Sequence, residues 1–446
     1  AGVSRLAGQP PQAYRLGGWD GLLGLMLRLD GLSTFFLIVI AAVSLCAGLF
    51  SVSYMTRYTS KHRYYALLLL LVAALNGLVL TGDLFSLYIF LELATLVSCA
   101  LVAFGTGKDE IEAAFKYFVL GTLASLLILL GIAVLYGVSG TVNMAALARV
   151  LRLTVPLAPA LLALALLLAG FCVKAALVPF HAWLPDAHPA APAPISAMLS
   201  GVFIKVAGFY ALLRLLYCIY GMSAPVALLL KGMGVCSMLV GIILALQQKD
   251  LKRMLAYSTV SQAGYLAVAA ALNTSLGLLA LLLHIASHAA AKSLLFLNAG
   301  AVEYATGTRN IRELGGLHRR MPLSGLSALV GGLSLAGVPP LAGFWSKLLI
   351  ILACVMAGAW VSALTATVVS MLTLLVVLRM QRQVWFGLPR AAALTAREVP
   401  AGMIAAQLLL MLVCVVLGFW FLSPGLNAGV PWAAVAALSS LAQGGY

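Results

Sequence analysis

The chain has 446 residues, of which 63% are hydrophobic and only 9% are charged. Its mean hydropathy of +1.09 is far above that of a soluble domain, in which about 25% of residues are charged. A soluble enzyme or binding module is therefore excluded, and the sequence predicts an all-α polytopic membrane protein of the cell (cytoplasmic) membrane.

Apolar runs long enough to cross about 30 Å of hydrocarbon recur along the chain. About twelve transmembrane helices are predicted, near residues 33–55, 64–82, 84–104, 114–137, 157–177, 195–218, 224–247, 254–272, 275–298, 322–356 with an internal break, 358–380 and 402–422. Residues 137–152 place apolar residues at helical spacing with arginines on another face, which predicts a short amphipathic connector at the membrane surface.

The formal net charge of +15 comes largely from short loops between the spans. The positive-inside rule explains such loops as topology signals, so the charge does not indicate a nucleic-acid partner. The richer set of alternate loops is predicted to be cytoplasmic and contains Arg57, Lys61, Arg63, Lys108, Lys249, Lys252, Arg253, Arg309, Arg312, Arg319, Arg320, Arg382, Arg390 and Arg397. Residues 1–32 are then an extracytoplasmic N-terminal segment.

The seven cysteines are scattered singly and form no CxxC pair, so neither an iron–sulfur cluster nor a structural zinc site is indicated. No glycine-rich phosphate loop stands at a strand-to-helix turn, and no strands are evident. We expect no cofactor in this chain, so redox or nucleotide chemistry would belong to another subunit.

Two predicted helices are interrupted by proline and carry a lysine close to the break. Lys174 precedes Pro179, and Pro339-Pro340 precedes Lys347. Broken helices in corresponding positions indicate repeated halves around a transport site, although prolines also kink membrane helices for packing alone.

These breaks divide the chain into a leading transmembrane helix (33–63), a first repeat (64–218), a second repeat (224–380) and a C-terminal loop and helix (381–446). Each repeat contains five spans. Because five is odd, the second repeat is expected to have the opposite topology to the first, giving two inverted five-helix repeats, each with a broken helix.

Glu92 is the one acidic residue predicted to lie well inside a span. An unpaired carboxylate there would be protonated or would find a cation, and Lys174 or Lys116 are the available partners. The alternative is an acid that only pins two helices together.

Four lysines are predicted inside spans: Lys174, Lys205, Lys292 and Lys347. A lysine at the centre of a bilayer helix costs roughly 2.5–3.5 kcal/mol on insertion scales, so a chain that keeps several has a use for them. Because burial brings the neutral amine within reach, such lysines could accept and release protons.

His284, His288 and Lys292 recur every four residues, which places them on one face of a helix. A proton relay fits this stripe. Histidines four residues apart could instead bind a metal, but no HExxH motif is present and a lysine continues the row.

His181 and His188 flank Trp183-Leu-Pro-Asp186 in the segment after Lys174. They could take up protons from the cytoplasmic side. Equally, Asp186 and the two histidines could only order a proline-rich loop.

The run Val173-Lys-Ala-Ala-Leu-Val-Pro-Phe-His-Ala-Trp-Leu-Pro-Asp-Ala-His188, followed by Ile195 to Lys205, resembles the signature of the antiporter-like membrane subunits of respiratory complex I, membrane-bound hydrogenases and Mrp-type sodium/proton antiporters. Further stretches that resemble this family are Gly82 to Glu92, Gln248 to Gln262, His284 to Lys292 and Leu335 to Lys347. The residues of several motifs resemble the Mrp D-type antiporter and the hydrogenase membrane subunit more closely than a mitochondrial complex I chain.

The resemblance implies a fourteen-helix fold with a polar axis across the membrane plane. Glu92 and Lys174 would form the coupled acid–lysine pair, and Lys205 would be the bridging lysine. His284, His288 and Lys292 would form the relay, and Lys347 would be the distal lysine. The family usually has two further helices before residue 33, and Arg379 does not align securely with the family's last charged residue.

The leading hypothesis is a subunit that translocates protons, or exchanges sodium for protons, within a multisubunit membrane complex. Its partners would be other membrane subunits, with redox subunits carrying iron–sulfur or nickel–iron centres if the complex is redox-driven. A structural membrane arm without conduction of its own is the alternative. The sequence leaves open whether a redox pump or a secondary antiporter is involved.

Overall fold

The computed structural model describes residues 12–15, 26–153, 156–420 and 435–436. Within these ranges the chain is almost entirely helical. Two short strands come first, β1 (Gln12–Arg15) and β2 (Met26–Leu29). The helices that follow are α1 (Gly31–Tyr54), α2 (Lys61–Leu80), α3 (Leu84–Val102), α4 (Lys108–Ser139), α5 (Met144–Leu153), α6 (Leu157–Lys174), α7 (Leu184–Ala190), α8 (Ala193–Ile219), α9 (Ala224–Gln247), α10 (Leu251–Ala271), α11 (Ser275–Thr306), α12 (Pro322–Ala336), α13 (Ala342–Met356), α14 (Trp360–Met380), α15 (Ala391–Leu394) and α16 (Ala401–Trp420).

The structure confirms the polytopic all-α prediction. Ten of the described helices are long and apolar enough to cross a membrane. The remaining two predicted spans are α10, a helix of 21 residues, and the broken pair α12 and α13 of 15 residues each. The amphipathic connector is α5, which buries Met144 and Leu147 and leaves Arg149 exposed.

The small hairpin of β1 and β2 corrects the expectation that the chain has no strands. The two strands pair antiparallel, with Gln12 opposite Leu29. Each strand has only four residues, too few for an alternating pattern to stand out in the sequence. The hairpin falls within the segment 1–32, whose remaining residues lie mostly outside the described part of the chain. The two further helices that the family usually has before residue 33 also lie outside the described residues.

Equivalent capping interactions recur 167 residues apart in the two predicted repeats. Asp83 caps the start of α3 and bridges Asn143, while Asp250 caps the start of α10 and bridges Asn310. Helices α4 and α11 each have 32 residues, and each ends at a glycine with a left-handed backbone. The same local chemistry therefore builds the same turn twice.

The two turns lie at opposite ends of α1. The first is next to the start of α1, because Thr81 bridges Leu27 of the hairpin. The second is next to the end of α1, because Glu303 contacts both Arg309 and Tyr54 there. Equivalent turns on opposite sides are the arrangement that inverted repeats require.

Both broken spans were predicted, but the first break contains an additional helix. After Lys174 the chain makes a series of turns and then forms α7, a helix of seven residues that ends before Pro192. The next span, α8, is buried on all sides and includes two π-helical stretches, Leu199–Tyr210 and Arg214–Ile219. Irregular helices of this kind are frequent at functional sites.

Candidate functional site: a buried polar axis

Lys174 is fully buried at the last residue of α6, where the helix breaks. Its ammonium group donates to Thr95 Oγ1 at 2.8 Å and to the carbonyl oxygen of Gly121 at 3.0 Å. The break is fixed by Trp183, whose indole N–H donates to Val173 O at 2.9 Å and whose ring stacks on Tyr117. The Lys174 ammonium group is therefore held by two neutral oxygen atoms.

Glu92 lies on α3 one turn before Thr95. Its Oε2 atom is shielded from solvent and accepts no hydrogen bond within the described part of the chain. Thr95, rather than Glu92, makes the direct contact with Lys174. Lys116, the other partner that the sequence suggested, instead pairs with Glu112 at 2.8 Å and with Asp186 at 3.4 Å.

Lys205 and Lys292 lie on either side of polar groups where α8 packs against α10. Lys205 donates to the carbonyl oxygen of Ser200 within α8, and the Ser200 hydroxyl contacts that of Thr259 at 2.8 Å. Next to Thr259, Ser258 accepts from Lys292, which also donates to Leu255 O at 2.7 Å. The predicted bridging and relay lysines thus share one buried polar layer.

His284 and His288 stack on one face of α11, with ring centroids 5.8 Å apart. His284 Nδ1 lies 3.0 Å from the hydroxyl of Ser346, and Ser287 Oγ lies 3.1 Å from the same hydroxyl. Ser346 directly precedes Lys347 on α13. The stripe predicted from the sequence therefore leads from Lys292 to Lys347.

Lys347 lies against the broken end of α12. Its ammonium group donates to Leu335 O at 2.8 Å and to Ala336 O at 3.2 Å. These are carbonyls of the last turn of α12, which lack helical partners and carry the negative end of the helix dipole. The break in the span therefore supplies the binding site of the lysine.

A small cavity of about 10 Å³ lies between the histidines and the α12 break. Its walls include Gln262, His284, Ser287, His288 and Ser334. Both amide atoms of Gln262 and both ring nitrogens of His288 are buried there without a hydrogen-bond partner among the described residues. A polar cavity of this volume is about large enough for one water molecule.

Gln262 is a candidate site residue that sequence reasoning missed. It lies in the Gln248 to Gln262 motif that carried the family resemblance, yet its type gave no signal of proton transfer. Only the packing of α10 against α11 shows that it shares a cavity with His284 and His288.

The two candidate uptake groups differ in position. His188 lies on the inner face of α7, is completely buried, and packs its ring 5.5 Å from that of Phe296. His181 lies in the break before α7 and is only partly buried. Because His188 has no solvent-exposed surface, it cannot itself be the first group to meet the cytoplasm.

On the outer face of α7 a polar cleft of about 490 Å³ opens toward the predicted cytoplasmic side. Asp186 lies in it and pairs with Lys116 at 3.4 Å and Arg253 at 3.0 Å. The cleft and the His188 side chain therefore lie on opposite faces of α7.

The four axis lysines share one property. Each is at most 3% exposed, and among the described residues none pairs with a carboxylate within 4.0 Å. They are Lys174, Lys205, Lys292 and Lys347. Burying an ammonium group without a carboxylate in contact is costly. The arrangement suits groups that exchange protons with their neighbours.

Comparison with known families agrees with this fold. The family described as NADH:quinone oxidoreductase/Mrp antiporter, TM, matches residues 81–373. The family described as NADH-Ubiquinone oxidoreductase (complex I), chain 5 N-terminus, matches residues 23–65.

Individual relatives extend over most of the chain. NADH-quinone oxidoreductase subunit N of Desulforudis audaxviator is 38% identical over 95% of this chain and 88% of its own length. A Na(+)/H(+) antiporter subunit of Alkalihalophilus pseudofirmus is 33% identical over 80% of this chain and 73% of its own length.

Among solved structures, a chain of the membrane-bound sulfane sulfur reductase, an archaeal respiratory membrane complex, superposes with a TM-score of 0.90 and 33% identity. The match covers 100% of this chain and 90% of that one. The chain belongs to the antiporter-like membrane subunit family that NADH:quinone oxidoreductases share with Mrp antiporters.

Proposed function

We propose that this chain is a proton-translocating subunit of a multisubunit membrane complex and that protons move along the buried axis from Glu92 to Lys347. The relatives named above are subunits of NADH-quinone oxidoreductase, a Na(+)/H(+) antiporter and an archaeal respiratory complex. The observation that carries the proposal is the set of four buried lysines held by neutral oxygens.

The geometry supports an order of transfer. Ser200, Thr259 and Ser258 lie between Lys205 and Lys292, and Thr259, Ser258 and Lys292 all donate to the carbonyl oxygen of Leu255. From Lys292 the path continues through the stacked histidines and the Ser346 hydroxyl to Lys347. At the opposite end, Lys174 donates to Thr95, which lies one turn after Glu92 on α3. Water would complete the steps for which the described residues form no hydrogen bond, from Lys174 to Lys205 and at His288.

A proton fits this axis better than a sodium ion. Lysine and histidine side chains carry protons, whereas sodium, like other hard cations, prefers several oxygen ligands. A fixed ammonium group on the path would also repel a metal cation.

The test uses the complex purified with this chain and reconstituted into vesicles. Lys174→Met and Lys347→Met are each expected to reduce proton transport at least about 10-fold, because each removes a proton-carrying group. Lys249→Met is the matched control, since Lys249 is exposed in a loop. Unchanged transport in both axis variants, in fully assembled complexes, would favour a structural arm instead.

The driving reaction is decided by the partners. Redox subunits that co-purify with the chain and proton uptake that follows their turnover would establish a redox-driven pump. Transport that follows only an imposed sodium gradient would establish a secondary antiporter.

A further inference from the structure

The end of α7 is held by cations from the second repeat. This helix stops at Ala190 because Pro192 follows, and its last carbonyl groups have no helical N–H partners. Such groups need other donors when they are buried. The donors here are side chains of α8, α10 and the turn after α11.

Two of these donors are charged. Arg309 Nη1 donates to Pro189 O at 2.5 Å, and Lys252 Nζ donates to Ala191 O at 3.0 Å. The Ser196 hydroxyl donates to His188 O at 2.7 Å. The broken helix of the first repeat is therefore fastened mainly by residues of the second.

Glu303, at the end of α11, joins the two cations. Its carboxylate lies 3.3 Å from Lys252 Nζ and 3.7 Å from Arg309 Nε. Asp250 adds a contact of 3.2 Å to Arg309. Lys252, Glu303 and Arg309 form a network that we call the carbonyl latch. The sequence pattern placed Lys252 among the loop charges that mark topology, but its side chain is only 2% exposed.

The latch lies beside the stretch of helix that separates the cleft from His188. Pro185, Asp186, Pro189 and Ala190 form part of the cleft wall. His188, on the opposite face of the same two turns, is completely buried. A small displacement of α7 would therefore connect the cleft with the interior.

We propose that the carbonyl latch controls access of water and protons from the cleft to His188, and that Lys252 and Arg309 are positioning residues for α7. The role proposed for the latch rests on the proposed proton translocation, but hydrogen–deuterium exchange can test whether the latch holds α7 without measuring transport. Neither cation carries the transported proton. Each fixes a carbonyl whose release lets α7 move.

The test is hydrogen–deuterium exchange of the segment 184–198 in the purified complex, compared between wild type and the variants Lys252→Met and Arg309→Met. Because each variant loses a hydrogen bond from a charged side chain, it is expected to exchange about 10-fold faster or more in this segment, which is equivalent to about 1.4 kcal/mol. The matched controls are Lys249→Met and Arg312→Met, whose side chains are exposed nearby. Lys252→Arg is expected to restore slow exchange.

Equal exchange in wild type and both latch variants would overturn the proposal. So would faster exchange spread over the whole chain, since that reports general destabilisation. A second measurement follows passive proton leak in vesicles, which is expected to rise in the latch variants only. If wild-type vesicles move no protons at all, the proposed function fails, while the exchange result still decides whether the latch holds α7.

Discussion

Arg214 and Asp30 form a buried two-point ion pair, although 184 residues separate them in the chain. Arg214 Nη1 and Nη2 donate to the two carboxylate oxygens of Asp30 at 2.7 and 2.8 Å. Asp30 also caps the start of α1 by accepting from Ser33 N. Because Lys205 lies on the same helix as Arg214, this pair ties the axis-bearing α8 to the start of α1.

Loss of either partner should destabilise the protein strongly. Asp30→Asn leaves Arg214 buried without its carboxylate, which costs about 3–5 kcal/mol, whereas Arg214→Met leaves Asp30 with only Arg28, whose Nε lies 3.5 Å away, and should cost somewhat less. The double variant should cost less than the sum of the two single changes. Thermal unfolding of the purified protein measures this, with Arg149→Met as an exposed control on α5. Additive effects would contradict a direct pair.

The same pair predicts how stability depends on acid. Burial alone would raise the pKa of Asp30, but the Arg214 guanidinium more than offsets this and holds the pKa well below its ordinary value of 3.8. A lowered pKa means that the stabilisation is complete above pH 3.8 and decreases as pH falls below it, because the unfolded state then binds the extra proton.

Wild type should therefore lose up to about 1.4 kcal/mol per pH unit through this group below pH 3.8. Asp30→Asn should lack that component. Unfolding measured between about pH 5 and pH 2.5 checks the difference, and parallel curves for the two proteins would be incompatible with the prediction.

Close packing of α9 against α10 predicts a position-specific glycine effect. A Cβ atom at Gly234 would lie 2.8 Å from the carbonyl oxygen of Gly264, whereas one at Gly232, half a turn away, would meet nothing within 4 Å. Small residues let membrane helices approach this closely. Gly234→Ala should cost about 1–3 kcal/mol through overpacking.

Gly232→Ala is the matched control and should be neutral or slightly stabilising, because alanine favours helix. Melting temperatures of the two variants in the same detergent test this. Similar values for both would show that the two helices can separate without cost.

Gln262 provides a test of the small cavity. Gln262→Leu keeps the size of the side chain and breaks no hydrogen bond to the described part of the protein, so stability should change little. Proton transport should fall about 10-fold, since the cavity beside His284 and His288 loses polar atoms that can hold water.

The control for this change is Gln381→Leu. Gln381 is also buried, and neither of its amide atoms has a hydrogen-bond partner among the described residues, but it lies at the end of α14 near Gly332, outside the cavity wall. Vesicle transport by both variants is the measurement. Equal transport by Gln262→Leu and wild type would remove the cavity from the path.

The sequence alone was enough to predict the spans, because the length of an apolar run that can cross a bilayer is a local property. The predicted span 84–104 is α3, Leu84–Val102, and 195–218 is α8, Ala193–Ile219. It also determined which residues are worth testing on the axis, since a lysine or histidine inside an apolar helix stands out against its neighbours.

Which side chains contact each other could not be predicted from the sequence, because it depends on the packing of distant helices. Thr95 makes the contact with Lys174 that Glu92 was expected to make, and His188 lies on the buried inner face of α7. Asp30 and Lys252 look in the sequence like ordinary charges at helix ends, and their burial depends on helices far along the chain. Hydrophobic period and length are read along one helix, whereas hydrogen bonds and burial depend on how helices pack.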